Sequence, residues 1–323
     1  MPHLRLLKNV RWPCLDAQSV GAEIEFCLID KITKEPVDAS VFANSVTLNE
    51  QEPFIEELYN QLGQLYIPVE LIHSESASGQ LEVVLEYSTD PIEVTDNIVY
   101  TRETIREVAR KHGMMAHFTP KFDMAAVGNG MHLHVSTRDA STDTPNFCQG
   151  SSLSSTGSAF VEGILQHLPA LTGLTLPTVN SYRRVGPGCW TGSVVGWGLE
   201  DKESGVRVCS NIKTKEWDNV ELKLMDHTPN IYLAVAATLH AGLQGIAQGL
   251  ELRKSLGNEH EGTPQPLPST VFEALDALEE NTSLMSMLGP KLGKAYLALR
   301  RHEAERASKM TFEEEVHEFL KRA

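Results

Sequence analysis

Apolar and polar residues alternate along four stretches of this chain, which is the pattern of a β-strand that buries one of its two faces. Shorter apolar runs predict two further strands, at 66–74 and 115–122. The four alternating stretches are 21–29, 80–86, 128–136 and 219–226.

Between these strands, apolar residues recur every three to four positions, which predicts amphipathic helices. In the longest of them, Thr89 or Asp90 can cap the N-terminus and Pro91 suits the first turn. Gly113 ends this helix. The strands and helices are interleaved and the strands alternate, so we predict an α+β fold with a curved antiparallel β-sheet flanked by helices. Helices are predicted at 53–65, 91–111, 158–174, 229–252, 270–280, 292–309 and 311–321, and loops at 140–158 and 180–197.

No linker, charge block or internal repeat divides the chain, so we predict one domain over 1–323 with an irregular segment at 1–20. The formal net charge of -15 disfavours binding to nucleic acid or to an anionic membrane. The sequence shows neither a signal peptide nor a membrane-spanning apolar run, and the scattered cysteines are typical of reduced thiols. We therefore expect a cytoplasmic protein. A nucleophilic Cys14 or Cys189 is an alternative to an ordinary thiol.

Acidic and imidazole side chains share faces of the alternating strands. His132 and His134 point to one face because their positions differ by two. Taken alone, the pair of histidines is equally typical of packed or surface histidines. Taken alone, a pair of acids on one strand is typical of a solvated acidic face. Together they predict a cavity of carboxylate oxygens and imidazole, which suits Mg²⁺ or Mn²⁺ better than zinc. The acids involved are Glu23 and Glu25, Glu75 with Glu82 and Glu86, and Glu221 beside Lys223.

Several of these motifs, taken in order, resemble the catalytic domain of glutamine synthetase. The resemblance runs from about Gly21 to near the C-terminus. The run Cys189-Trp190-Thr191-Gly192, together with Lys223, is similar to the group that contains fungal FluG-type and plant nodulin-type proteins. The matching motifs are 21–26, 75–82, 128–136, 180–188 and 221–226, the last leading into 229–234.

The resemblance implies an ATP-dependent ligase that joins a carboxylate, here expected to be glutamate, to ammonia or another amine through a γ-glutamyl phosphate-type intermediate. It implies two sites for Mg²⁺ or Mn²⁺, one formed by Glu25, Glu75 and Glu82 and the other by Glu23, His132 and Glu221. Nucleotide contacts are implied for Glu70, His134, Ser136 and Arg207. Catalytic roles are implied for Arg184, Arg207 and Lys202, and substrate contacts for Gly128, Arg184, Trp190 and Lys223.

The chain also departs from the family pattern at the amine end. Trp190 stands where the family has a glutamate that attracts ammonium and takes its proton, and indole cannot act as that base. It could instead form an apolar or cation–π wall for a larger amine. Lys202 and Lys223 replace arginines and lose the planar fork. Val127 replaces a polar residue before Gly128.

Two alternatives to the ligase stay open at this point. One is a scaffold or signalling protein with weak or no activity that keeps metal and nucleotide binding, and the other is a metal-dependent hydrolase. Family members form rings in which a small N-terminal β-grasp domain completes the neighbour's active site. This chain has no room for that domain, so we expect a homo-oligomeric ring only where the domain is supplied.

Overall fold

The computed structural model describes residues 17–39, 42–257 and 263–321. One mixed sheet of eight strands dominates this part of the chain. The strands are β1 (Ala17–Asp30), β2 (Val69–Ser74), β3 (Gln80–Ser88), β4 (Met114–His117), β5 (Met131–Arg138), β6 (Trp197–Leu199), β7 (Val206–Ser210) and β8 (Trp217–Leu222). Their order in the sheet is β2-β3-β1-β5-β8-β7-β6, with β4 paired to β1. Neighbours are antiparallel except β6 and β7.

The described residues also form nine α-helices, and a 3₁₀ turn covers Asn180–Arg184. The Asp90 side chain caps the helix Pro91–Lys111 by accepting from the Ile92 N–H, and Gly249 ends the helix Ile231–Gln248 in the left-handed conformation. The helices are α1 (Ser45–Glu50), α2 (Glu52–Gln64), α3 (Pro91–Lys111), α4 (Ser155–Thr175), α5 (Ile231–Gln248), α6 (Val271–Glu280), α7 (Thr282–Leu288), α8 (Pro290–Ala307) and α9 (Phe312–Leu320).

The α+β class is confirmed, and several details of the prediction are wrong. The sheet is not wholly antiparallel, since β6 and β7 run parallel. Strand β1 begins at Ala17, so 17–20 belongs to a strand rather than to an irregular segment. The remainder of that segment, with Cys14, lies outside the described residues. Strand β4 ends at His117 and β8 at Leu222, both earlier than predicted.

Four short elements were missed because each is too brief to show a period: α1, α7, β6 and β7. Helix α4 also begins three residues before the predicted start, where the Ser154 side chain accepts from the Gly157 N–H. The four added elements and the shifted boundaries leave the order of the predicted main elements unchanged.

The hydrophobic core lies between the sheet and the helices on one of its faces. Along β1, Val20, Ala22, Ile24 and Phe26 are buried and alternate with Glu23 and Glu25. Phe26 contacts the rings of Phe54 on α2 and Phe118 after β4 at centroid distances of 6.3 and 5.9 Å. Apolar packing therefore fixes which face of the sheet presents the acids. Within the described residues, no helix is long and apolar enough to cross a membrane.

Candidate functional site

Strand register brings the predicted acids together on the face of the sheet away from this core. Strand β1 lies between β3 and β5. Glu23 lies directly opposite His132 on β5, and Glu25 lies opposite Glu82 on β3. Cross-strand neighbours on one face approach within contact distance, so the pairing concentrates carboxylates and imidazole around the middle of β1.

A cavity of about 160 Å³ opens over these residues, and we call it the acidic cavity. All six predicted metal ligands line it, as do the predicted residues Gly128, Arg184, Trp190, Lys202, Arg207 and Lys223. Its lining is Glu23, Glu25, Phe42, His73, Glu75, Glu82, Val127, Gly128, His132, Arg184, Cys189, Trp190, Lys202, Arg207, Glu221 and Lys223.

His132 is the centre of the contacts within the acidic cavity. Its Nδ1 lies 2.9 Å from Glu23 Oε2 and 3.2 Å from Glu221 Oε1. Its Nε2 lies 3.7 Å from Glu25 Oε1. One imidazole thus contacts three carboxylates that come from β1 and β8, which places donors from separate strands around one point.

The donor atoms cluster in groups that cut across the two ligand sets implied by the resemblance. Three groups have all their donor atoms within 4.8 Å of one another: Glu23, Glu82 and His132; Glu23, His134 and Glu221; and His73, Glu75 and Glu82. Glu25 instead accepts hydrogen bonds from the Gly130 N–H at 2.5 Å and from Gln80 Nε2 at 3.4 Å. The assignment of ligands to two separate ions stays a prediction.

The protonation of the acidic cavity reflects its crowding. Burial and the neighbouring Glu25 raise the pKa of Glu75 to about 7. Burial and Glu23 raise the pKa of Glu82 to about 8. For His132, burial alone would lower the pKa, but Glu25, Glu221 and Glu23 outweigh it and raise the pKa to about 9. The carboxylates therefore repel one another and are partly neutralised by protons.

This donor set fits divalent cations. Carboxylate oxygens are the preferred ligands of Mg²⁺ and Mn²⁺, and an imidazole is acceptable to Mn²⁺. Bound cations would replace the protons that Glu75 and Glu82 hold and would lower the repulsion between the acids. Arg207 also offsets this negative charge, since its Nε lies 2.6 Å from Glu221 Oε2.

Arg184 forms the opposite wall of the acidic cavity. It is only 2% exposed, and its terminal nitrogen Nη2 lies 3.1 Å from His132 Nε2 and donates to the Lys223 carbonyl at 3.2 Å. Its other terminal nitrogen, Nη1, is buried and has no hydrogen-bond partner among the described residues. A buried guanidinium with an unused donor is suited to hold a substrate carboxylate.

Glycine is required next to this arginine. A side-chain Cβ on Gly130 would lie 2.3 Å from Arg184 Nη2 and from His132 Nε2. A Cβ on Gly128 would lie 2.0 Å from the Pro120 carbonyl oxygen. The two glycines therefore let the backbone run directly beneath the guanidinium.

An aromatic pair forms the mouth of the acidic cavity around Lys202. The Nζ atom of Lys202 lies 4.7 Å from the ring centroid of Phe42 and 5.0 Å from that of Trp190. The two rings are perpendicular, with centroids 6.3 Å apart. Trp190 has φ 57°, an uncommon left-handed conformation for a bulky residue, so the loop holds its indole at a local cost in strain.

Three predicted nucleotide-binding residues lie outside the lining of the acidic cavity. Glu70 is exposed on the edge strand β2. His134 and Ser136 follow His132 on the same face of β5, and His134 Nε2 lies 2.9 Å from Glu23 Oε1. Their nucleotide contacts stay predictions.

Sequence reasoning missed two residues of this site. His73 Nε2 lies 2.9 Å from Glu82 Oε1, and its alternation in phase with Glu75 was a usable signal. Phe42 lies in an irregular segment that shows no pattern, so nothing in the sequence pointed to it.

Comparisons with known proteins identify the family of this chain. Residues 14–319 match the family model of the glutamine synthetase catalytic domain. The chain is 34% identical over 292 residues to Type-1 glutamine synthetase 1 of Dictyostelium discoideum, covering 88% of this chain and 58% of that protein. It is 31% identical to Protein fluG of Emericella nidulans, covering 90% and 34%. It is 35% identical to Gamma-glutamylpolyamine synthetase GlnA3 of Streptomyces coelicolor, covering 74% and 53%.

Solved structures show the same relationship. A structure described as a novel glutamine synthase homolog superposes with a TM-score of 0.85 at 29% identity, covering 99% of this chain and 74% of that one. A GmaS/ADP complex gives 0.85 at 27% identity, covering 99% and 76%. The chain spans between about a third and three fifths of the three curated relatives named above. Because residues 14–319 match the family model and the solved relatives share the fold, the chain belongs to the glutamine synthetase catalytic-domain family.

Proposed function

We propose that this chain is the catalytic part of an ATP-dependent ligase that joins the side-chain carboxylate of glutamate to an amine other than ammonia. The observation that supports this most is the division of one cavity into two ends. Five buried or half-buried glutamates face Arg184 and Arg207, whereas Trp190 and Phe42 form the mouth. The first end suits phosphoryl transfer. At the second end, the described residues place aromatic rings and Lys202 where deprotonation of ammonium would need a carboxylate.

The first step follows from the positions of the glutamates, His132 and the two arginines. A carboxylate oxygen of glutamate attacks the γ-phosphorus of ATP and ADP leaves, which gives an acyl phosphate. Divalent ions held by the glutamates and His132 would neutralise phosphate charge. Arg184 would hold the other carboxylate of glutamate, and Arg207 would stabilise charge on the transferred phosphoryl group.

The second step uses the mouth of the acidic cavity. The nitrogen of the amine attacks the acyl carbon, phosphate leaves, and the nitrogen loses one proton to solvent or phosphate. Trp190 and Phe42 would bind the organic part of the amine through apolar and cation–π contacts. Such binding would favour an organic amine over ammonia, which has no apolar part to bury.

This proposal is compatible with the relative named as a γ-glutamylpolyamine synthetase. Assembly into a homo-oligomeric ring, completed by an N-terminal domain, belongs to the same proposal.

An amine screen with ATP, glutamate and Mg²⁺ or Mn²⁺ tests this function. The assay follows ADP release and amide formation by the chain, alone and with an N-terminal domain of a relative added. We expect ADP release that depends on both glutamate and an organic amine, with a higher kcat/KM than for ammonia. Efficient glutamine formation from ammonia would contradict the amine assignment. If ATP binds but no amine is converted, the scaffold alternative is correct.

A further inference from the structure

A second cavity lies between α3, α8 and α9, and it shares no lining residue with the acidic cavity. Its volume is about 290 Å³, near the lower end of the range for sites that bind small molecules. We call it the arginine cavity, because Arg102 and Arg106 on α3 and Arg300 on α8 all line it. Phe118, Val179 and Phe319 contribute apolar surface.

The arginines of this cavity are incompletely paired. The Nε atoms of Arg102, Arg106 and Arg300 are all buried and have no hydrogen-bond partner among the described residues. Arg106 and Arg300 each pair through one terminal nitrogen with a glutamate on the same helix, and Arg300 also lies 5.4 Å from the ring centroid of Tyr296. The guanidinium carbons of Arg102 and Arg106 lie 5.3 and 4.9 Å from the ring centroid of Phe118. Two guanidiniums thus contact one aromatic ring. The lining of the cavity also includes Arg306, Glu303, Glu315 and Glu318, so four arginines outnumber three glutamates there.

The positive charge of this cavity lowers the pKa of Arg102. Burial and the neighbouring Arg106 lower the pKa of Arg102 to about 10. An anion bound beside this guanidinium would stabilise its charged form. Carboxylate and phosphate oxygens match the planar fork of arginine.

His227 supplies a second, independent polar group to the arginine cavity. It is 4% exposed, and its Nε2 donates to the Gly130 carbonyl oxygen at 2.9 Å. Because a carbonyl only accepts, Nε2 holds the proton. Burial and Arg102 lower the pKa of His227 well below its usual range, so the ring is neutral and Nδ1 has a free lone pair. That Nδ1 is buried without a partner among the described residues, and it requires an N–H or O–H donor.

The same histidine connects the two cavities. Its partner Gly130 donates its own N–H to Glu25 Oε2 in the acidic cavity. The Gly130 backbone also lies tightly against Arg184 and His132, with no space for a side chain. A movement of His227 would therefore act on three residues of the acidic cavity, Glu25, His132 and Arg184, through the backbone of Gly130.

We propose that the arginine cavity is a second small-molecule site for an organic carboxylate of amino-acid size that has an N–H or O–H donor and an apolar group, and that its occupancy alters the position of Gly130. The carboxylate lies among the three guanidiniums, the donor binds His227 Nδ1, and the apolar group packs on Val179 and Phe319. This inference goes beyond the ligase function and does not depend on it.

Calorimetry on the full chain, without ATP or metal, tests the binding. Phenyllactate has a carboxylate, a hydroxyl and an apolar ring, and we expect it to bind with a Kd below about 1 mM. Phenylpropionate lacks the hydroxyl and should bind about tenfold more weakly. Phenylethanol lacks the carboxylate and should show no binding. Absence of phenyllactate binding at about 10 mM, or equal affinity for all three compounds, would overturn the proposal.

Matched variants identify the residues. Arg300→Gln should weaken phenyllactate binding at least about tenfold, whereas Arg301→Gln should not, because Arg301 pairs with Asp276 and Glu279 outside the cavity. Arg102→Gln with Arg106→Gln should abolish binding, with circular dichroism showing that the chain is folded. If that double variant does not fold, the comparison of Arg300 with Arg301 decides. Wild-type affinity in Arg300→Gln would overturn the assignment of the site.

Hydrogen exchange tests the connection to Gly130. Saturating phenyllactate should slow exchange of backbone amides in 128–134 and leave α6 unchanged. Binding without any change in 128–134 would show that the arginine cavity has no influence on the acidic cavity.

Discussion

His132 Nδ1 lies 2.9 Å from Glu23 Oε2, although the two residues are 109 positions apart in sequence. They are direct cross-strand neighbours on β5 and β1, so the contact is a property of strand register. The same register aligns Glu25 with Glu82 on the other side of β1. One strand thus organises the acid cluster, and the proposed chemistry depends on it.

Removing one carboxylate from this cluster should reduce metal binding. Glu82 belongs to two of the three close donor groups, so Glu82→Gln should weaken Mn²⁺ binding by at least about tenfold. Glu86→Gln on the same strand is the control, because Glu86 is exposed. Calorimetry measures both variants. Unchanged Mn²⁺ stoichiometry and affinity in Glu82→Gln would rule out a role for this carboxylate in metal binding.

Metal binding should also release protons. The pKa values of Glu75, Glu82 and His132 are about 7, 8 and 9, so these groups hold protons near neutral pH and must lose them to coordinate an ion. The heat of Mn²⁺ binding at pH 7 should therefore vary with the ionisation enthalpy of the buffer, and affinity should rise from pH 6 to pH 8. A heat independent of buffer would contradict this.

Restoring an acid at the mouth of the acidic cavity should change the preferred amine. In Trp190→Glu, the new carboxylate could bind and deprotonate ammonium, and general-base help is worth about 10²- to 10⁴-fold in rate. We expect the ratio of kcat/KM for ammonia to that for an organic amine to rise by at least about tenfold. Trp190→Phe is the control that keeps the aromatic wall. If both variants shift the ratio equally, the change comes from lost packing and not from the charge.

Arg184 should determine the affinity for the carboxylate substrate. Replacing it with Gln removes a buried guanidinium whose Nη1 has no hydrogen-bond partner in the described part of the chain, and the KM for glutamate should rise about 10- to 100-fold. Arg183→Gln is the neighbouring control, since Arg183 pairs with Glu315 and does not line the acidic cavity. Equal effects of the two substitutions on KM would argue against the assignment.

Acid should destabilise the fold partly through His117. This residue on β4 is fully buried, burial lowers its pKa to about 3, and neither ring nitrogen has a partner among the described residues. Because its pKa is depressed in the folded state, the unfolded chain binds the additional proton, and stability falls as the pH drops from about 6.5 towards 3.

Urea unfolding at several pH values measures this effect. Within that window, His117→Leu should reduce the pH dependence of the free energy of unfolding by up to about 1.4 kcal/mol per pH unit. His302→Leu on α8 is the control, because His302 is exposed and should leave the slope unchanged. An unaltered slope in His117→Leu would show that this histidine is protonated in the folded chain.

The sequence by itself determined which residues share a strand face. Glu23 and Glu25 alternate with buried apolar residues, and the period of two assigns the acids to the face away from the core. The same reasoning grouped Glu82 with Glu86, but only Glu82 lines the acidic cavity, because Glu86 lies farther along β3 where the strand is exposed. Periodicity defines a face and contains no information about how far along a strand a cavity extends.

Tertiary structure alone decided which faces meet. The placement of β1 between β3 and β5, the addition of His73 from β2, and the position of Lys202 between Phe42 and Trp190 depend on contacts between distant segments. The arginine cavity is the clearest case. Arg102 and Arg300 lie on helices almost two hundred positions apart, and each has the spacing of an ordinary polar helix face. Only helix packing brings their charges together, because local sequence patterns specify the direction of a side chain and not its neighbours.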